Sequence, residues 1–268
     1  MKKNKQDQSI ALPSGVLLRH LPRASIEAIY RDAPGDERGS GKFESPESSA
    51  ALVANAFGFF LDQPGLLPDL PGIEGVGWPA SNLILEGQLR FPWSGGKHPC
   101  LDVVIRTQGA LIGVESKRFE PYRPKQVKKQ SAAYRRDVWG EQMSGYFEAL
   151  DLAKSRSGAF ECLDAAQLAK HAFAIRTQIH RPEDRGRTGI LYYLYADPDV
   201  WPDGTSVSAE KREQHRTDIQ RFSELVRGCE VRFIAATYPS VLDSWRRYEV
   251  EGLALHAKLL AEWMGGGR

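Results

Sequence analysis

The chain has 268 residues, 41% of them hydrophobic and 26% charged, with a formal net charge of +2. That mixture is ordinary for a globular protein, and the length suits one large domain or two small ones with a substantial core. No stretch approaches the roughly 20 apolar residues of a membrane span, and the N-terminal Met1-Lys-Lys-Asn-Lys run leads into no signal-peptide core. The three scattered cysteines (Cys100, Cys162 and Cys229) offer neither zinc-ligand spacing nor a disulfide framework. The expectation is a soluble, cytoplasmic protein.

Residues 1–44 are polar and rich in Gly, Pro and charge, with a short helix at Ser25–Arg31, and read as a flexible arm ahead of one domain over residues 45–268. Ser45-Pro46-Glu47 predicts a helix start: Ser caps, Pro takes the first helical position and Glu complements the dipole. Leu52, Val53, Ala56 and Phe59 carry that helix to about Phe60. A Pro/Gly-rich connection leads to three strands, Asn82–Trp93, Cys100–Thr107 and Ala110–Lys117, separated by Ser94-Gly95-Gly96-Lys97 and by Gln108-Gly109. Helix is expected from about Lys125, then over Glu141–Lys154 and Leu163–Ile179 from their apolar spacing. Gly189–Tyr195 is a continuous apolar run, hence a strand buried on both faces. Ala209–Arg227 reads as helix, Val231–Thr237 as strand, and Val241–Met264 as a closing helix or pair of helices. This order describes a single α/β domain with a mixed sheet flanked by helices.

The chemistry concentrates in Leu101-Asp102-Val103 and Val114-Glu115-Ser116-Lys117. Alternate strand residues share a face, so Glu115 and Lys117 point the same way. If Gln108-Gly109 is a two-residue turn, counting outwards brings Asp102 opposite Glu115 as a non-hydrogen-bonded pair, with Cα atoms about 4.5 Å apart. Two like charges so placed destabilise a sheet unless something positive lies between them. A divalent cation would do that, with Lys117 beside it and the Ser116 carbonyl as a further ligand. Hard carboxylate oxygens suit Mg²⁺, with Mn²⁺ able to substitute; such an ion activates water and stabilises charge on a phosphoryl group. The plain alternative is a surface hairpin whose Glu and Lys pair with neighbours. No GxSxG, GxxxxGK[ST] or strand-bound GxGxxG is present to suggest a triad hydrolase, NTPase or dinucleotide enzyme.

At these residues the chain resembles the PD-(D/E)xK nuclease superfamily, whose core is a helix, three antiparallel strands, a helix and a further strand. The motif maps onto Asp102 and Glu115-Ser116-Lys117, although Pro99 stands three residues before the aspartate rather than next to it. The resemblance implies a restriction endonuclease-like αβββαβ core and Mg²⁺-dependent hydrolysis of DNA. Gln142 and Tyr146 match the QxxxY pattern of one branch, which implies that Gln142 serves the active site and Tyr146 the nucleic acid. The superfamily also implies an extra carboxylate from the first helix or first strand, here Glu47 or Glu86. The run from Ala110 to Tyr122 is similar to bacterial restriction-endonuclease-like proteins.

Lys117–Arg136 holds eight Lys or Arg against one acid, Glu120. Arg118, Arg123, Lys125, Lys128, Lys129, Arg135 and Arg136 are therefore candidates for phosphate contacts, with Tyr122, Tyr134 and Trp139 available for stacking on bases. The bland reading of such a run is a solvated helix face. Gln167, Lys170 and His171 share one helix from which they could reach the scissile phosphate, although a structural histidine is the commoner outcome. The function expected is a DNA phosphodiesterase of restriction or repair type, with strict specificity supplied by loops, a homodimer or a recognition subunit. The rival is a non-catalytic nucleic-acid-binding module with a nuclease fold, and an RNA-directed nuclease is a third reading.

Overall fold

The computed structural model describes residues 16–33, 41–73, 75–123, 132–154 and 159–265. Residues 16–33 are part of the core and not an arm. Leu17, Leu18 and Leu21 are buried, and so are Ile26 and Tyr30 on helix α1 (Arg23–Asp32). Asn55 fastens this segment: its Oδ1 accepts from Leu18 N–H at 2.7 Å and its Nδ2 donates to the Val16 carbonyl at 2.8 Å. The polar composition of the first 44 residues hides a short apolar series that finds a partner in the next helix.

That helix, α2, runs Ser49–Phe57 and continues as a 3₁₀ turn over Gly58–Phe60. Its cap is Ser48, whose Oγ accepts from Ala51 N–H at 3.0 Å. The start therefore lies one turn later than Ser45-Pro46-Glu47 suggests, because Ser45 closes its own turn by accepting from Glu47 N–H at 3.2 Å. Eight of the residues from Ala50 to Phe57 are buried, so α2 is a central helix with no solvent face.

The sheet has five strands in the order β1 (Asn82–Gln88), β2 (Cys100–Arg106), β3 (Ala110–Lys117), β4 (Thr188–Tyr195) and β5 (Arg232–Thr237). The first three are antiparallel meander strands, and β4 and β5 join parallel to β3. Gln108-Gly109 makes the two-residue turn expected, with Thr107 N–H donating to Ala110 O at 3.0 Å. β1 ends at Gln88, earlier than the expected Trp93; Phe91 and Trp93 instead pack under the helices of one face.

Helices α3 (Ser144–Leu152) and α4 (Ala165–Ile179) connect β3 to β4, and α5 (Ala209–Leu225) connects β4 to β5. All three pack with Leu111, Leu191 and Tyr193 on one face of the sheet. Helices α6 (Tyr238–Trp245) and α7 (Leu253–Met264) join α1 and α2 over Val103, Ile112, Val114 and Tyr192 on the other face. The α/β core of helix, three antiparallel strands, helix and parallel strand is thus present. Burial on both faces explains why β4 is apolar throughout its centre. Among the described residues no helix is long and apolar enough to cross a membrane.

α4 lies close to β3 because Gly113 and Gly189 leave room for it. A Cβ on Gly113 would sit 2.8 Å from Ile175 Cδ1, and one on Gly189 would sit 3.0 Å from Ile175 Cγ2. Ile175 is one helical turn from His171, just as Gly113 is one alternation from Glu115 on the strand. This double coincidence of period positions the site.

Candidate active site

β2 and β3 part at the carboxylates. Their ladder runs from Arg106↔Leu111 to Val103↔Val114, while β3 continues against β4 as far as Lys117↔Tyr195. One further step of the β2–β3 register sets Asp102 opposite Glu115. There Ser116 N–H crosses the gap to donate to Asp102 Oδ2 at 2.6 Å. The N–H and C=O of a strand residue point to the same edge, so the Ser116 carbonyl also faces this gap. On its other edge β2 pairs with β1 at Leu85↔Val103 and again at Gly87↔Leu101, skipping Glu86 and Asp102. Glu86 has φ +51°, a left-handed conformation that costs a non-glycine residue about 1–3 kcal/mol. Leu101 packs with Leu111 and Leu191, on the opposite face from Val103 and Ile105. Side-chain alternation therefore slips at Asp102, and its carboxylate turns into the gap.

Glu115 is 2% exposed, and each of its oxygens has a partner. Lys117 Nζ donates to Oε1, and His171 Nε2 from α4 lies 3.1 Å from Oε2. Burial would raise this carboxyl, but the charges of Lys117 and His171 outweigh it and hold the pKa at about 2. Asp102 moves the other way: burial and then the neighbouring charge of Glu115 push it well above the usual carboxylate range. Burial alone would lower Lys117, yet Glu115, Glu120 and Asp102 together raise it above the ordinary lysine value. Two carboxylates facing one gap with a single ammonium thus leave a local deficit of positive charge, and Asp102 bears it. Ser116 Oγ and Tyr238 OH, 2.7 Å apart, tie this end of β3 to α6.

Glu86 lies beside this centre, level with Asp102 across β1–β2, and accepts from Cys100 Sγ at 3.4 Å. Its charge is one of the influences that raise Asp102. Glu47 is engaged elsewhere: the Arg123 guanidinium holds its carboxylate, with Nε 3.0 Å from Oε2, at the rim of a cavity of about 540 Å³. Among the described residues no group of three or more His, Cys, Asp or Glu side chains is arranged as a metal site. Mg²⁺ needs only one or two carboxylates, completing its shell with water and substrate, so Asp102, Glu115 and the Ser116 carbonyl form a donor set that fits it.

Other expected contacts are placed differently. Gln142 is exposed on a 3₁₀ turn (Glu141–Met143), where its carbonyl accepts from Glu230 N–H at 2.9 Å. Tyr146 is fully buried, donates its hydroxyl to Val231 O at 2.9 Å and cannot meet nucleic acid. The change from 3₁₀ to α winding at Ser144 takes the two residues off a common face. Arg118 is also inside: only 5% exposed, it sits 4.2 Å over the Trp263 ring and donates to Met264 O, and burial lowers its pKa to about 10. It anchors α7 from inside the fold, where sequence reasoning expected an exposed side chain. Arg123 stacks 4.8 Å over Trp201 besides holding Glu47, and Arg136 lies 4.7 Å over Trp93. Tyr122 and Trp139 are core aromatics, with their polar atoms bonded to Asp197 and to the Tyr134 carbonyl. Lys125, Lys128, Lys129 and the helix expected from about Lys125 lie outside the described residues, as does the side chain of Arg135.

His171, weighed in the sequence as a structural histidine or a contact to the scissile phosphate, is instead a partner of Glu115, a role that sequence reasoning missed. The available signal was a Gly-x-Glu on β3 facing a His-x-x-x-Ile on an alanine-rich helix, a pairing visible only once the two elements are known to pack.

No curated protein and no solved structure matches the chain. The family described as Restriction Endonuclease associating with ARP matches residues 10–262, from the buried N-terminal segment through the carboxylate gap to α7, and the chain belongs to that family.

Proposed function

We propose that this protein is a metal-dependent nuclease that hydrolyses DNA phosphodiester bonds, with Asp102, Glu115 and Lys117 as its reactive centre in the manner of PD-(D/E)xK enzymes. The observation that carries this reading is the parting of β2 and β3 at Asp102 and Glu115, with Lys117 beside them. Membership of a restriction-endonuclease family agrees with it.

Asp102, Glu115 and the Ser116 carbonyl would hold Mg²⁺ or Mn²⁺, with Glu86 the better placed of the two additional carboxylates. Such an ion supplies Lewis-acid stabilisation of charge that develops on phosphoryl oxygens. Lys117 orients the attacking water or stabilises charge at the phosphate, acting as a fixed ammonium beside Glu115. His171 positions Glu115 from the helix side, so that the carboxylate keeps one orientation. In the reaction a water oxygen bonds to phosphorus, the bond to the departing sugar oxygen breaks, and the water's proton passes to solvent or the leaving oxygen. The family description names an association with ARP; a partner of that kind, or a second copy of the chain, would contribute sequence recognition.

The test is cleavage of circular and linear DNA with Mg²⁺ or Mn²⁺, beside EDTA and the Lys117→Ala variant. Metal-dependent cleavage that the variant loses supports the proposal, and the two substrates separate internal from terminal cutting. Folded protein that binds DNA in a salt-sensitive way but never cleaves it would refute the proposal in favour of a non-catalytic module.

A further inference from the structure

Beyond the carboxylate gap lies a groove of about 600 Å³ between the β1–β2 connection and the C-terminal end of α4. Its lining includes Arg90, Trp93, His98, Arg176, His180 and Arg181, and the acid that meets it is Glu230, bonded to Arg176 and His180. These side chains come from stretches far apart in sequence, and none belongs to the basic run that followed Lys117.

The donors are held in place. His98 Nδ1 accepts from Phe91 N–H at 3.1 Å. In the neutral ring the proton therefore sits on Nε2, which becomes a hydrogen-bond donor. Arg181 is braced by its bond to the Arg90 carbonyl at 3.0 Å, and the Arg90 side chain is exposed. Glu230 bridges Arg176, at 3.1 Å, and His180, so one acid is shared between two cationic or donor groups. Exposed Arg136 adds its guanidinium at the side, with Cζ 4.7 Å from the centre of the Trp93 ring, and Trp93 is itself stacked on Phe91 at 4.8 Å. Planar guanidinium groups on braced supports, with little opposing charge, match the oxygens of a phosphodiester backbone.

We infer that this groove binds the phosphate backbone of duplex DNA flanking the position of cleavage. The inference rests on the nuclease reading for the identity of the polyanion. His171 at the centre and Arg176 to Arg181 at the groove lie on or just beyond the same helix. At 1.5 Å per residue this separates them by roughly 10 Å, about three nucleotide steps along one strand.

The experiment is fluorescence anisotropy with a labelled duplex in EDTA, so that no cleavage intervenes, over a series of salt concentrations. Arg90→Ala, Arg136→Ala and the double variant are compared with wild type, and thermal melts establish that each is folded. Each single variant is expected to bind several-fold more weakly and to lower the slope of log K against log salt by about 0.9, with the double variant losing about twice that. Unchanged affinity and slope in both variants overturn the inference, as does a wild-type protein that binds no duplex, or one that binds single-stranded RNA through these arginines in preference to DNA. Groove-dependent binding by a protein that never cleaves would leave this inference standing while removing the nuclease reading. Cleavage that survives with unaltered binding in the variants does the reverse.

Discussion

Replacing Gly113 by alanine tests how the fold presents Glu115. The new Cβ would lie 2.3 Å from Leu101 Cδ2 and 2.8 Å from Ile175 Cδ1, both in side chains with no measurable exposure. Neither can swing to solvent, so Leu101 must leave its rotamer or α4 must shift outward. Overpacking of this kind costs about 1–3 kcal/mol. Against it, alanine loses less entropy on folding than glycine where the backbone is not left-handed, a gain of about 0.4–1 kcal/mol. The net expectation is destabilisation of about 1–2 kcal/mol, or a fall in Tm of roughly 3–6 °C for a chain of this size. Denaturant unfolding reads the cost directly. Adding Leu101→Ala, which removes the nearest obstacle, should make the pair less destabilised than the sum of the two single changes. A Tm within 1 °C of wild type, or strictly additive costs in the pair, would refute the argument that α4 is seated on Gly113. Because Ile175 and His171 are one turn apart, the same variant should lose cleavage well below its Tm, as the 3.1 Å approach of His171 to Glu115 opens.

Lys117→Ala should lower kcat for DNA cleavage by about 10²–10³ with little change in DNA affinity, and a proportionate loss of both would point to unfolding instead. His256 should make stability pH-dependent. Burial, and to a lesser degree the neighbouring His20, lower its pKa to about 4, with Ala56 O accepting from its Nε2 at 3.1 Å. The unfolded histidine, at about 6.5, takes up its proton first, so this contribution is complete above pH 6.5 and is lost as pH falls towards 4, about 3 kcal/mol in all. Urea midpoints between pH 7 and 5 should fall for wild type by more than for His256→Gln, and parallel curves would count against it. Asp184, 1% exposed, accepts from Arg106 Nε at 3.0 Å, Arg187 Nη1 at 2.7 Å and Gln178 Nε2 at 2.8 Å. Asp184→Ala should cost about 2–4 kcal/mol by stranding those donors, and a melt within 2 °C of wild type would show that water satisfies them.

Short-range periodicity settles much of this protein from sequence. The two-residue turn at Gln108-Gly109 sets the β2–β3 register, and strand alternation puts Glu115 and Lys117 on one side, because both rest on a repeat of two residues counted from a local anchor. The continuous apolar run of β4 likewise announces a strand covered on both faces. Tertiary packing decided the rest. Arg118 and Tyr146 look like surface contacts in sequence, yet α7 closes over one and the Val231 carbonyl, just before β5, takes the hydroxyl of the other. Ser48 rather than Ser45 caps α2, since either serine can accept a local N–H and only the packing of α2 chooses between them. Leu18 and Ile26 enter the core because Asn55 on α2 and Gly58 just after it receive them. His171 stands 56 residues from Glu115, and no local pattern spans that separation. Two glycines on adjacent strands bring them together by letting α4 approach the sheet closely enough for an imidazole to meet a carboxylate.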